Sequence, residues 1–89
     1  MDGDRLWALL ERHQRETFYT AKNLPFTYVI RGGEMFVDRR SKSITKATFE
    51  KALERVQEAP ERVTGPKSLN VFGAPYIFAL LRGLPWEEI

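Results

Sequence analysis

ETFYTAKNLPFTYVIRGGEMFVDRRSKSITKATFEKALER, residues 16–55, is the stretch whose reading decides the fold. Aromatic and β-branched residues dominate TFYT (17–20) and FTYVIR (26–31), the composition of strands. Between them Lys22-Asn23-Leu24-Pro25 reads as a turn, because asparagine tolerates the left-handed region and proline fixes the exit of the chain. Arg31-Gly32-Gly33-Glu34 then sets two glycines between strand-like runs, which suits a two-residue hairpin loop that needs positive φ. Arg31 thereby faces Glu34 as an opposite-charge pair. Counting outward, Ile30 faces Met35, Val29 faces Phe36, Tyr28 faces Val37 and Phe26 faces Arg39.

Strand side chains alternate, so this register sorts residues into two faces. Phe26, Tyr28, Ile30, Met35 and Val37, joined by Phe18, form the more apolar face and are assigned to the core. Thr27, Val29, Phe36 and Asp38, joined by Thr17 and Tyr19, form a mixed second face.

Outside the strands the apolar period becomes helical. Leu6, Leu9, Leu10 and His13 fall on one stripe of a first helix over about 4–14, with Asp4 as its cap, Arg12 and Arg15 at its end, and Trp7 at the stripe's edge. A second helix starts near Ser43 or Thr45 and runs to about Glu58, burying Phe49, Ala52, Leu53 and Val56; Pro60 stops it. PERVTGPKSLNVFG (60–73) is punctuated as a connecting loop. A third helix spans roughly 75–82, with Pro75 in its first turn and Gly83 past its end; apolar nearly all round, it is buried on several sides or forms an interface. The expected class is α+β: helix, three-stranded antiparallel meander, helix, loop, C-terminal helix.

A chain of 89 residues, 43% hydrophobic and 29% charged, has the length and composition of a single domain over 1–89. A chain of this size buries roughly 60–70% of its unfolded surface, enough to fold without staples. The absence of cysteine excludes disulfides, thiolate metal sites and thiol nucleophiles, and fits a reducing cytoplasmic setting. MDGDRLWALLERHQ lacks the basic start and long apolar run of a signal peptide. The longest apolar run, residues 74–81, falls well short of the roughly 18 residues of a membrane span, so no membrane partner is expected.

Net charge is only +2, but residues 31–55 carry seven bases (Arg31, Arg39, Arg40, Lys42, Lys46, Lys51, Arg55) against four acids (Glu34, Asp38, Glu50, Glu54). RRSKSITK (39–46) holds four bases and no acid. A local excess of this kind is what a phosphate or acidic partner feels, whereas its plainer reading is a solvated turn.

Catalytic chemistry finds little to use. The single histidine, His13, lies on an apolar stripe, where a packed structural role is the ordinary one. No HxH, HExxH or CxxC supplies transition-metal ligands, and Gly32-Gly33 is too short for a phosphate-cradling loop. Glu34, Asp38 and Lys42 invite a metal-dependent nuclease, yet four residues of strand hold the two carboxylates roughly 13 Å apart, too far to share one ion. The expectation is a non-enzymatic protein with no cofactor, no catalytic residue and no metal site.

Binding is better supported, because nucleic-acid modules combine positive charge with aromatic rings on a sheet face. Tyr19 and Phe36 are the rings available for stacking, flanked by Arg31. Arg39, Arg40, Lys42 and Lys46 surround the turn into the second helix, whose free N–H groups, with Ser41, Ser43 and Thr45, offer an anion site. DNA or RNA is therefore the expected partner. The alternative places the third helix over Tyr19, Val29 and Phe36, which leaves only the basic turn. A competing reading is a protein-interaction or self-associating domain, binding a protein partner or forming a homodimer through Tyr19, Val29 and Phe36, or through the third helix with Trp86.

In architecture the α-β-β-β-α order with a basic second-helix start resembles a double-stranded-RNA-binding domain. The strands here are shorter, that family's lysine cluster is not cleanly reproduced, and a third helix is added. At the level of motifs, FTYVIRGG (26–33), TFEKAL (48–53) and GAPYIFALL (73–81) resemble a group of small bacterial proteins. These share an FTY hairpin, an F-E-x-A-L helix and a G-x-x-Y helix near the C-terminus. That resemblance covers most of residues 16–83; it implies a recurring domain and transfers no activity and no site residues.

Overall fold

The computed structural model describes residues 2–39 and 42–88 and is organised around the hairpin at Gly32-Gly33. The chain runs through α1 (Gly3–Arg12), β1 (Phe18–Tyr19), β2 (Pro25–Phe26), β3 (Tyr28–Arg31), β4 (Glu34–Val37), β5 (Ile44–Thr45), α2 (Lys46–Glu58) and α3 (Ala74–Gly83). Short 3₁₀ turns occupy Pro60–Arg62, Pro66–Leu69 and Trp86–Glu88. The class is α+β, with three helices, a three-stranded antiparallel sheet and a two-stranded one.

The β3–β4 register is the expected one: Arg31 opposite Glu34, Ile30 opposite Met35, Val29 opposite Phe36, Tyr28 opposite Val37. Gly32 takes φ +62° while Gly33 does not enter the positive region, the sign pattern of a type II′ hairpin turn. The expected pairing of Phe26 with Arg39 is not part of the ladder. Asp38 N–H donates to the Thr27 carbonyl at 3.1 Å, and its carboxylate accepts from Thr27 N–H at 3.1 Å. Arg39 then reaches back by side chain, its Nε donating to the Pro25 carbonyl at 2.6 Å.

The strands are distributed differently from a single meander over 17–38. β1 pairs with β2, Phe18 opposite Phe26 and Tyr19 opposite Pro25, as a separate ribbon. The third strand of the main sheet is β5, within the segment read as the approach to the second helix; Ile44 lies opposite Met35 and Thr45 opposite Glu34. The reason lies in the outer edge of β3. Arg15 N–H donates to the Tyr28 carbonyl at 2.8 Å, and Ile30 N–H donates to Gln14 Oε1 at 3.0 Å. The chain leaving α1 therefore takes the edge that β1 would need, and Arg15 adopts φ +73° in doing so. Asn23 takes the left-handed conformation its turn was expected to need, φ +63°.

Tyr28, Met35, Val37 and Ile44 of this sheet and Phe26 of the ribbon are buried, with Phe18 and Ile30 packed against them. α1 contributes Leu6, Leu9 and Leu10, and α2 contributes Phe49, Ala52 and Leu53. Trp7 is fully enclosed rather than marginal: its ring stands edge-on to Phe49 at 5.7 Å, and its Nε1–H donates to the Gly32 carbonyl at 3.3 Å. α1 is capped by Asp2, whose carboxylate accepts from Arg5 N–H at 2.8 Å, and not by Asp4. The Tyr28 hydroxyl donates to the Leu10 carbonyl at 2.6 Å, and burial raises the phenol above its ordinary range. Leu10 lies in the last turn of α1, where carbonyls lack a helical partner, so this bond ties helix to sheet.

α3 is the centre of the core. Ala74, Ile77, Phe78, Ala79 and Leu80 are buried, and Tyr76 stands edge-on to Phe26 at 5.1 Å. Gly73 and Gly83 lie against Ile44 and Phe18. All of these contacts are on the apolar side of the strands, so the alternative in which the third helix covers Tyr19, Val29 and Phe36 does not hold. Leu69 and Leu84, in segments without helical or strand periodicity, close the core. No described helix is long and apolar enough to cross a membrane.

Two substitutions test this packing. Gly73 sits at φ +73°, and a Cβ there would lie 2.5 Å from Ile44 Cδ1. Gly73→Ala is expected to lower unfolding free energy in urea by about 2–3 kcal/mol, combining left-handed strain with overpacking. Tyr28→Phe is expected to cost about 1–2 kcal/mol with an unchanged urea m-value, because it orphans the Leu10 carbonyl without opening a cavity.

Candidate nucleic-acid interface

Two rings of the face read as mixed stay exposed, one on the β1–β2 ribbon and one on the three-stranded sheet. Tyr19 is 57% exposed and Phe36 40%. Val29 and Thr27 lie between them in the strand sequence and are half-buried. Tyr19 is anchored opposite Pro25, and Phe36 opposite Val29. The two rings stand on different sheets, so they form separate platforms rather than one stack. An extended single strand can lay non-adjacent bases on separate platforms.

The cations fall into two groups. Arg31 ends β3, exposed, two residues from Val29 and therefore on the Phe36 face. Arg39 is exposed and pinned by its bond to Pro25, the residue opposite Tyr19, which sets a guanidinium beside that ring's strand. Lys42 is exposed. Arg40 and Ser41 lie outside the described residues. Lys46 is committed elsewhere: its ammonium pairs with Asp4 at the start of α1. That hydrogen bond is the main reason the Asp4 carboxyl is held below its ordinary value and the Lys46 ammonium above its own.

The start of α2 is less available to an anion than its sequence implies. Lys46 N–H donates to the Gly33 carbonyl at 2.9 Å, and Thr48 N–H donates to the capping Thr45 Oγ1 at 3.3 Å. Ser43 Oγ–H donates to Glu34 at 2.6 Å. β5 is the cause, because pairing Ile44–Thr45 with β4 turns these groups toward the hairpin. Glu34 thus takes a hydroxyl partner; among the ion pairs of the described residues, none joins it to Arg31, although the two are cross-strand neighbours.

His13 is drawn into an ionic latch at the end of α1. Its Nε2 lies 2.7 Å from Glu88 and its Nδ1 2.8 Å from Glu16, and Arg12 reaches Glu88 at 3.3 Å. The stripe position read from sequence is therefore an end-of-helix position with polar partners. The Glu88 bond, then the Glu16 bond, hold the imidazole above its ordinary value; the His13 bond is the chief cause that lowers Glu88. Among the described residues no three His, Asp or Glu side chains gather to hold a metal. Glu34 and Asp38 have separate partners, Ser43 and Thr27.

Comparison with protein-family models, with curated proteins and with solved structures finds no match for this chain.

The latch has a definite pH signature. The raised His13 value stabilises the fold fully below the ordinary histidine value of roughly 6.5, and that contribution is lost as pH rises through the folded value. The lowered Glu88 value contributes above the ordinary glutamate value of roughly 4.3 and is lost as pH falls through its folded value. Amide exchange of Glu88 N–H, which donates to the Pro85 carbonyl at 3.0 Å, reads the latch directly. Its protection, corrected for intrinsic rate, is expected to be greatest between these limits and to fall toward pH 8. In His13→Gln the alkaline fall disappears.

Proposed function

We propose that this protein is a non-enzymatic module that binds single-stranded nucleic acid, with Tyr19 and Phe36 stacking bases and Arg31, Arg39 and Lys42 contacting phosphates. The observation that carries this reading is a pair of exposed aromatic rings, Tyr19 on the β1–β2 ribbon and Phe36 on the three-stranded sheet. Large apolar rings gain little by facing water, whereas every base offers a π surface to stack on. The cations nearest those strands form no ion pair among the described residues, so their charge is available to a backbone. Arg40 belongs to the same basic turn by sequence. Lys46, paired with Asp4, contributes less than its position in RRSKSITK implies.

The interface reading through α3 and Trp86 has less support than the one through Tyr19 and Phe36. Most of the apolar side chains of α3 lie in the core, and the Trp86 indole N–H folds back to donate to the Leu81 carbonyl at 2.8 Å. Protein association through Tyr19 and Phe36 remains the competitor to be separated by experiment. A cytoplasmic setting is part of the same proposal.

Fluorescence anisotropy with short labelled single strands of DNA and RNA is the test. Binding is expected at low salt, with log Kd rising linearly with log salt at a slope of about 0.7 per phosphate contact. Tyr19→Ala and Phe36→Ala should each weaken binding by about 1–3 kcal/mol with the slope unchanged. Arg39→Ala with Lys42→Ala should reduce the slope itself by roughly 1.4. No binding at tens of micromolar, or binding indifferent to salt, sinks the proposal. Concentration-dependent dimerisation abolished by Phe36→Ala would instead favour self-association.

A further inference from the structure

A concave site lies at the β1–β2 turn, and neither Tyr19 nor Phe36 lines it. The turn between β1 and β2, the segment Thr64–Ser68 and the first turn of α3 enclose a groove of about 530 Å³. That volume lies within the roughly 300–1,000 Å³ typical of small-molecule sites. Its walls are mostly apolar, built from Ala21, Leu24, Pro66, Pro75 and Tyr76. They are also stiff: Pro66 opens a 3₁₀ turn, Pro75 the first turn of α3, and the Tyr76 ring is braced against Phe26 at 5.1 Å. Leu24 is 44% exposed, an apolar side chain left in water at the end of a turn.

The charge of this groove has one sign. Lys22 lines it from the β1–β2 turn and Lys67 from the facing segment, and no acidic residue lines it. Both lysines are exposed, and neither takes part in an ion pair among the described residues. Thr20 and Thr64 add hydroxyls to the same walls. An apolar trough flanked by two unpaired ammonium groups complements an apolar body that ends in a negative charge.

We propose that this groove binds a small amphipathic carboxylate, an alkyl or aryl acid whose apolar part lies against Leu24, Pro66 and Tyr76 while its carboxylate meets Lys22 and Lys67. A small acid fits because prolines stiffen the walls, two lysines supply positive charge, and the volume of this half-open groove is in the small-molecule range. The site is independent of the nucleic-acid reading, since none of its lining residues belongs to the group assigned to bases and phosphates.

Titration of the ¹⁵N-labelled protein with decanoate and with 2-naphthoate, followed by amide shifts, tests it. Saturable shifts are expected at residues 20–24, 64, 65, 67, 68 and 76, reached below roughly 5 mM, the weak end of the affinity scale. Decanol at equal concentration should bind more weakly. The double variant Lys22→Ala, Lys67→Ala should weaken decanoate about tenfold while its spectrum elsewhere is unchanged. Absence of saturable shifts, or shifts centred outside the groove, overturns the proposal. So does equal binding of decanol, or affinity indifferent to loss of both lysines. Shifts at the same amides from an acidic leucine-ended peptide, with none from either small acid, would likewise overturn the small-molecule assignment.

Discussion

Closing the chain through Gly32-Gly33 pairs Arg31 with Glu34, and because strand side chains alternate, that closure assigns every side chain of β3 and β4 to a face. A slip of one residue would send Tyr28, Met35 and Val37 to water and bring Val29, Phe36 and Asp38 inward. The turn is held from outside as well, since its Gly32 carbonyl takes the Trp7 indole N–H and its Gly33 carbonyl takes Lys46 N–H. Both helices that flank the sheet are thus tied to the same two glycines.

On the core side, α3 packs against the Pro66–Leu69 turn, β1 and Ile44 of β5. A helix that is apolar on most of its surface needs partners in several directions, and here it has them in Phe26, Phe18 and Ile44. The approach to Ile44 is close enough that only glycine fits at position 73. Tyr28 joins the remaining layer by giving its buried hydroxyl to an α1 carbonyl. Among the described residues no buried side-chain polar atom is left without a partner, so the interior carries no polar debt for the fold to offset.

The exposed rings follow from the same arrangement. With α3 packed on Phe18, Phe26 and Ile44, Tyr19 and Phe36 stay exposed, Tyr19 on the rim of a concavity it shares with Phe78, Ala79 and Arg82 of α3. Electrostatics then divides the basic turn. Lys46 is neutralised across the α1–α2 contact by Asp4, while Arg39 is oriented by the Pro25 carbonyl and keeps its charge facing water. Surface cations held in a fixed direction are better placed to meet a backbone than freely rotating ones, because less side-chain freedom is lost on binding.

Much of this was legible from local chemistry. The β3–β4 register follows from two glycines and the alternation around them. The left-handed Asn23, the Thr45 cap, the stop before Pro60 and the stripes of α1 and α2 all rest on interactions within a few residues. What was not legible involves contacts distant in sequence. β5 is two residues long and carries no period of its own; it exists because Met35 and Glu34 offer a free edge. β1 stands apart because Gln14 and Arg15 occupy the edge it would have used. Trp7, Leu69 and Leu84 are buried by neighbours far along the chain, and Lys46 is neutralised by a residue in another helix. The sequence by itself determined the hairpin, its two faces and the helices that flank it, because those follow from backbone sterics and periodicity. Only the tertiary structure decided which face α3 would cover and which cations would stay unpaired, because both depend on which surfaces and charges meet across the fold.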